Sequence, residues 1–111
     1  MSGLEVVGMK KSINIRAYEK DGIVTVKSMT RHPMESGLRK NKKTGKKYAA
    51  HFIQEVIVQS ANKTVMQAYW GGAISRNPYF SFRFKGQSGN DLIFSWTDNT
   101  GRSASETIRI Q

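Results

Sequence analysis

The sequence predicts an all-β domain, an immunoglobulin-like β-sandwich of about seven antiparallel strands, and three observations carry that prediction. Short segments alternate apolar and polar residues with a period of two, which puts one set of side chains on each face of a sheet. Turn signals such as Asp21-Gly22, Asn62-Lys63 and Asp98-Asn99-Thr100-Gly101 recur between those segments. No stretch carries a convincing helical stripe. At 111 residues the chain makes one domain, spanning 1–111, with 1–10 expected as a flexible N-terminal stretch.

Each strand has its own justification. Ser12 to Tyr18 alternates Ile13, Ile15 and Ala17 with polar residues, and Ile23 to Met29 is rich in β-branched side chains; Asp21-Gly22 between them is a hairpin signal. His32-Pro33 breaks the sheet, since a residue before proline is biased out of the helical region. Ala50 to Ser60 is ambiguous. Ala49, Ile53, Val56 and Ile57 fit a helical stripe and Phe52, Val56 and Val58 fit a strand face, and the β-branched run Val56-Ile57-Val58 decides for a strand. Thr64 to Trp70, Tyr79 to Lys85, Leu92 to Thr97 and Ser103 to Ile110 complete the set. The expected core includes Ile15, Val26, Phe82, Phe94 and Trp96. With no cysteine to staple the sheets, large aromatic side chains must supply the burial.

Composition excludes several kinds of chemistry. At 38% hydrophobic and 23% charged, the chain is globular rather than disordered. No run approaches membrane-spanning length, and no membrane partner is expected. The N-terminus MSGLEVVGMKK lacks a basic-then-apolar leader pattern, which points to the cytoplasm or to export by a borrowed route. Zero cysteines remove disulfides, thiolate metal sites and thiol nucleophiles. His32 and His51 have no metal-ligand spacing, and no cofactor or metal is expected. No serine has a GxSxG context. Asp91 and Asp98 lie at the two ends of one strand and read as turn formers, with Asp98 capping its hairpin. An enzyme is not indicated.

The net charge of +10 is concentrated. Arg39, Lys40, Lys42, Lys43, Lys46 and Lys47 fall within nine positions, and without them twelve basic face eight acidic residues, a balance of +4. This exposed loop is either a solvated charged segment or a patch that steers anionic partners. Beside an aromatic strand, such a patch also raises an alternative, a nucleic-acid-binding β-domain. Phe80, Phe82 and Phe84 alternate with Ser81, Arg83 and Lys85, and that is also the core face of any sandwich strand. The basic-Gly pair that an RNA-recognition strand places before its rings follows them here, as Lys85-Gly86.

The loop ahead of that strand combines Gly71-Gly72 with Asn77-Pro78, yet carries Ala73, Ile74 and Tyr79 where turn chemistry favours polar groups. Such a loop should pack against its own core or against another protein. Trp70, Arg76 and Tyr79 are the side-chain types in which interface energy concentrates.

HPMESGLRK at 32–40, WGGAIS at 70–75, NPYFSF at 77–82 and FSWTD at 94–98 with Gly101 occur in one order. Together they resemble the SoxZ family, over about residues 10–111. The resemblance implies an immunoglobulin-like subunit that pairs with SoxY, a chain whose glycine-rich C-terminal arm bears one cysteine. That cysteine carries sulfur intermediates between periplasmic Sox enzymes during thiosulfate oxidation. The family lacks its own signal peptide and crosses the membrane folded with its partner. A cysteine-free chain suits the non-carrying role. Expected partner contacts lie on the bend His32, Pro33, Met34, Glu35 and Gly37 and on the loop Trp70, Ile74, Arg76, Asn77, Pro78 and Tyr79. The extent of the basic loop is the one departure from what the family would fix.

Overall fold

The computed structural model describes residues 12–111; the stretch expected to be flexible at 1–10 lies outside the described residues. The first hairpin joins β1 (Ile13–Lys20) to β2 (Ile23–Thr30). Asp21 and Gly22 both take positive φ, 53° and 81°, and Lys20 pairs with Ile23. That is a two-residue turn of the kind whose twist matches its strands.

The second hairpin joins β3 (Ile53–Ser60) to β4 (Lys63–Tyr69). Ser60 pairs with Lys63, so the turn is Ala61-Asn62, one residue earlier than the sequence indicates. Ala61 has φ 51°, a left-handed conformation that its Cβ disfavours. The register of β3 explains its ambiguous pattern. Its pairing with β6 shifts between Ile53 and Glu55, so Ile53 and Val56 both face the core, although a flat strand would turn residues three apart to opposite faces. A strand bulge has written a helix-like spacing into the sequence.

Three strands complete the domain: β5 (Tyr79–Lys85), β6 (Asp91–Asp98) and β7 (Ser103–Arg109). One sheet has the order β1-β2-β5 and the other β4-β3-β6-β7, and every pairing is antiparallel. The fold is the expected immunoglobulin-like sandwich. The two sheets meet along β1 and β7, where Glu19 N–H donates to Gln111 O and Gln111 N–H to Ala17 O, both at 2.9 Å. On the far side, β4 and β5 are the edge strands of opposite sheets, and the 70–78 segment crosses from one to the other.

The core sits between Val24 and Val26 of β2, Val56 and Val58 of β3, and Leu92, Phe94 and Trp96 of β6, closed by Ile13, Ala17 and Ile110. Val26, Phe94 and Trp96 are buried as expected. Ile15 and Phe82 are only half-buried. Their parity is right, but Phe82 lies on β5, which borders the three-stranded sheet, and Ile15, between the buried Ile13 and Ala17 of its own strand, is left open with Ile108 along the β1–β7 groove. Phe80, Phe82 and Phe84 form a ladder with ring centroids 5.5 and 6.1 Å apart, packed against the core.

The strain at Ala61 is removable. Ala61→Asn, which tolerates the left-handed region and suits this turn, should stabilise the protein by about 0.5–1 kcal/mol. The check is an upward shift of the urea midpoint with an unchanged slope.

Candidate functional site

The bend after β2 and the loop between β4 and β5 are distant in sequence but form one structure. Asn77 Oδ1 accepts the His32 N–H at 2.9 Å, and Asn77 N–H donates back to His32 O at 2.9 Å. Thr30 N–H reaches Pro78 O at 3.1 Å. Gly72 passes so close to the bend that a Cβ there would lie 2.9 Å from the Ser36 Cα. Met34 and Asn77 both hold positive φ, near 50°, which is uncommon for a residue with a side chain. Each segment keeps one strained residue, over-determined by its neighbour.

The expected contact residues divide by burial. His32, Met34 and Pro78 are buried in the chain's own interior. Trp70 and Ile74 are half-buried and pack on the core, Trp70 edge-to-face against Phe80 at 5.5 Å. Glu35 and Gly37 are also partly covered, whereas Pro33, Arg76, Asn77 and Tyr79 are exposed. Tyr79 keeps 59% of its surface open, and Tyr69 just before Trp70 keeps 74%. The apolar character of the loop thus has two sources: Ile74 serves the core, while Ala73 and Tyr79 face outward.

Beneath the bend lies an arrangement that the sequence does not announce. Asp98 is buried, and its Oδ2 lies 3.0 Å from His32 Nε2 and 2.9 Å from His51 Nε2. Its Oδ1 accepts the Thr100 hydroxyl at 2.6 Å and the N–H groups of Thr100 and Arg102 at 2.9 and 3.0 Å. The capping role expected for Asp98 is real, but it occupies only one of the two oxygens. The two histidines, without partners by sequence spacing, share the other. Their rings meet edge-on at 4.5 Å, and His32 also stands against Trp96 at 5.1 Å.

Burial opposes ionisation of Asp98, but the hydrogen bonds from His32, Thr100 and Arg102 outweigh it and hold the carboxyl well below the ordinary carboxylate range. An ionised carboxylate only accepts, so both facing Nε2 atoms carry protons. For His32 the tautomer is fixed a second time, because Met34 N–H donates to its Nδ1 at 3.2 Å.

His32, His51 and Asp98 bring three ligand-type atoms within 4.8 Å of one another. A metal there would displace the Nε2 proton of His32, and its Nδ1, facing an N–H donor, could not take that proton. Metal-bound imidazoles instead donate from the second nitrogen. The chemistry of the trio is that of a hydrogen-bonded clamp.

The basic segment is also more ordered than its composition suggests. Arg39, Lys40, Lys42, Lys43, Lys46 and Lys47 are all exposed, but Lys40 pairs with Lys47 across a hairpin, and Asn41 N–H donates to Lys46 O at 2.8 Å. The hairpin is rooted in the clamp, because Glu35 and His51 bridge at its base.

Replacing Asp98 with asparagine puts an amide where the site offers only donors, and should cost on the order of 3 kcal/mol at neutral pH. Because the folded-state value is depressed, the carboxylate's contribution is full above the unfolded value near 3.8 and is lost as pH falls toward the folded one. Urea unfolding of both proteins across pH should show a constant gap above about pH 5 that narrows in acid.

Residues 13–109 match the family described as Sulphur oxidation protein SoxZ. No curated protein matches the chain. The matched range runs from the first residue of β1 to the last of β7 and contains the bend, the clamp and the loop. The chain therefore belongs to the SoxZ family of sulphur-oxidation proteins.

Proposed function

We propose that this chain is the non-catalytic half of a periplasmic heterodimeric sulfur carrier, pairing with a SoxY-like subunit whose C-terminal cysteine holds sulfur intermediates of thiosulfate oxidation. The observation that carries the reading is family membership across the whole sandwich combined with the absence of any cysteine in 111 residues. A chain of this family without a thiol has no means of holding a covalent sulfur adduct. Its part is to bind the subunit that does, and to present it to the Sox enzymes. On this reading the pair works in the periplasm, reached together with the signal-bearing partner.

The contact surface proposed is the joined bend and loop. A pre-formed surface loses less entropy on binding than one that must order itself, and the mutual hydrogen bonds of His32 and Asn77 supply that order. Pro33, Arg76 and Tyr79 project from it, with Trp70 and Ile74 as half-buried shoulders and His32, Met34 and Pro78 as the support beneath. Glu35 and Gly37 form its border with the basic hairpin. The exposed Tyr69 extends the aromatic character onto the edge of β4. Together these give an interface centred on aromatic and arginine side chains, the usual composition of binding hot spots.

The test mixes the protein with a candidate SoxY-like chain and follows heterodimer formation by size and by titration. Arg76→Ala and Tyr79→Ala should each weaken assembly by about tenfold or more, with thermal stability unchanged because both side chains are exposed. Intact assembly in both folded variants would remove the contact assignment, and failure of the unsubstituted chain to bind any SoxY-like partner would remove the functional reading itself.

A further inference from the structure

We propose that residues 35–51 form a pre-organised cationic finger that docks on an acidic protein surface, separately from the bend-and-loop surface described above. The proposal does not rest on the sulfur-carrier reading. It rests on three properties of the finger.

The finger is a built element. At its root, Glu35 and His51 exchange backbone hydrogen bonds of 2.7 and 2.8 Å, and Gly37, at φ 89°, runs against Ala50. Midway, Tyr48 N–H donates to Arg39 O at 2.8 Å. At the tip, Gly45 N–H returns to Asn41 O at 2.8 Å, and Asn41 Oδ1 accepts the N–H groups of Lys43 and Thr44 at 2.8 and 3.2 Å. An asparagine holding two turn amides in this way fixes the path of the backbone.

Its charges are uncompensated. Arg39 is engaged, since it pairs with Glu35 and lies 4.1 Å from the centre of the Tyr48 ring. Lys40, Lys42, Lys43, Lys46 and Lys47 have no carboxylate partner among the described residues. Lys40 and Lys47 are also direct cross-strand neighbours, a like-charge placement that destabilises a hairpin. A loose loop would let these lysines spread apart. The ordered turn keeps them together, and their mutual repulsion is relieved when an external anion arrives.

The finger's chemistry selects the kind of anion. A turn encloses a small oxyanion best with converging backbone N–H groups, and those of Lys43, Thr44 and Lys46 already donate to the side chains of Asn41 and Thr44. Single-stranded nucleic acid needs open ring faces for stacking. The finger's two rings are engaged, Tyr48 beneath Arg39 and His51 edge-on to His32, and the Phe80, Phe82 and Phe84 ladder packs against the core. Five point charges on a stiff, exposed hairpin suit the spread carboxylates of an acidic protein face, where complementarity accelerates encounter.

The test uses fluorescence anisotropy with a labelled poly-glutamate peptide and a labelled oligothymidylate of equal charge number, across a salt series. Replacing Lys40, Lys42, Lys43, Lys46 and Lys47 with serine should weaken poly-glutamate binding by about tenfold or more and flatten its salt dependence. A control carrying Lys20→Ser, Lys27→Ser, Lys63→Ser, Lys85→Ser and Arg83→Ser loses the same charge from elsewhere and should change binding by less than about twofold. Asn41→Ala keeps every charge but frees the tip, and should weaken binding by roughly threefold, the signature of lost pre-organisation. An equal loss in the control, tighter binding of oligothymidylate than of poly-glutamate, or unchanged binding in Asn41→Ala would each overturn the proposal.

Discussion

The buried carboxylate of Asp98 is the constraint on which the functional end of this molecule depends. A charge out of contact with water is costly, and it persists only where every lone pair finds a donor. Here the donors come from three separate parts of the chain. His32 belongs to the bend that leaves β2, His51 to the segment entering β3, and Thr100 and Arg102 to the turn after β6. One side chain therefore sets where the first sheet's exit, the root of the basic hairpin and the last hairpin turn lie relative to one another. The fourth element, the 70–79 loop, is attached through His32 and Asn77. Without the carboxylate, two imidazoles and two amides lose their common acceptor, and the segments keep only pairwise ties, the bridge of Glu35 to His51 between bend and β3 entry and the Asn99 bonds to Ala50 and Phe52.

Much of the sandwich was legible in the chain because two-residue periodicity is a local property. Val24 and Val26, or Leu92, Phe94 and Trp96, announce their face without reference to any other strand. What periodicity does not contain is the position of a strand within its sheet. Phe82 has core parity but lies on a bordering strand, which only the order β1-β2-β5 reveals, and Ile15 has the parity of the buried Ile13 and Ala17 but faces the open groove toward Ile108 of the other sheet. The bulge in β3 is a second instance. It shifts the register by one residue, so Ile53 and Val56 carry a spacing that sequence reasoning assigns equally to a helix. The turn at Ala61 was misplaced for a related reason, since the expected signal, asparagine, occupies only the second of its two left-handed positions.

The site was legible in its parts and not in its assembly. The bend and the loop drew notice through their residue types, glycine and asparagine beside proline and apolar groups. Nothing in either segment indicates that Asn77 reads the backbone of His32, 45 residues away. The separations of Asp98 from His32 and His51, 66 and 47 residues, match no local motif, which is why the histidines looked solitary. Two parts of the site have a short-range geometry: the Asp98 cap on Thr100 and Arg102, which the sequence did suggest, and the Met34 N–H to His32 Nδ1 bond, two residues apart. The split of the loop between core-facing Ile74 and outward Tyr79 likewise depends on the crossing from β4 to β5, not on composition.

Among the described residues, the backbone and side-chain hydrogen bonds of residues 41–46 all close within the hairpin itself. The tip thus makes no hydrogen bond to either sheet, while its root is held by the buried clamp. Such an appendage can be lengthened, shortened or recharged with little consequence for the sandwich, because the changed residues share no partner with the core and their effects should add independently. Selection acting on whom the protein meets is thereby separated from selection acting on whether it folds. Among related chains, this segment is where sequence divergence can run fastest without loss of the architecture.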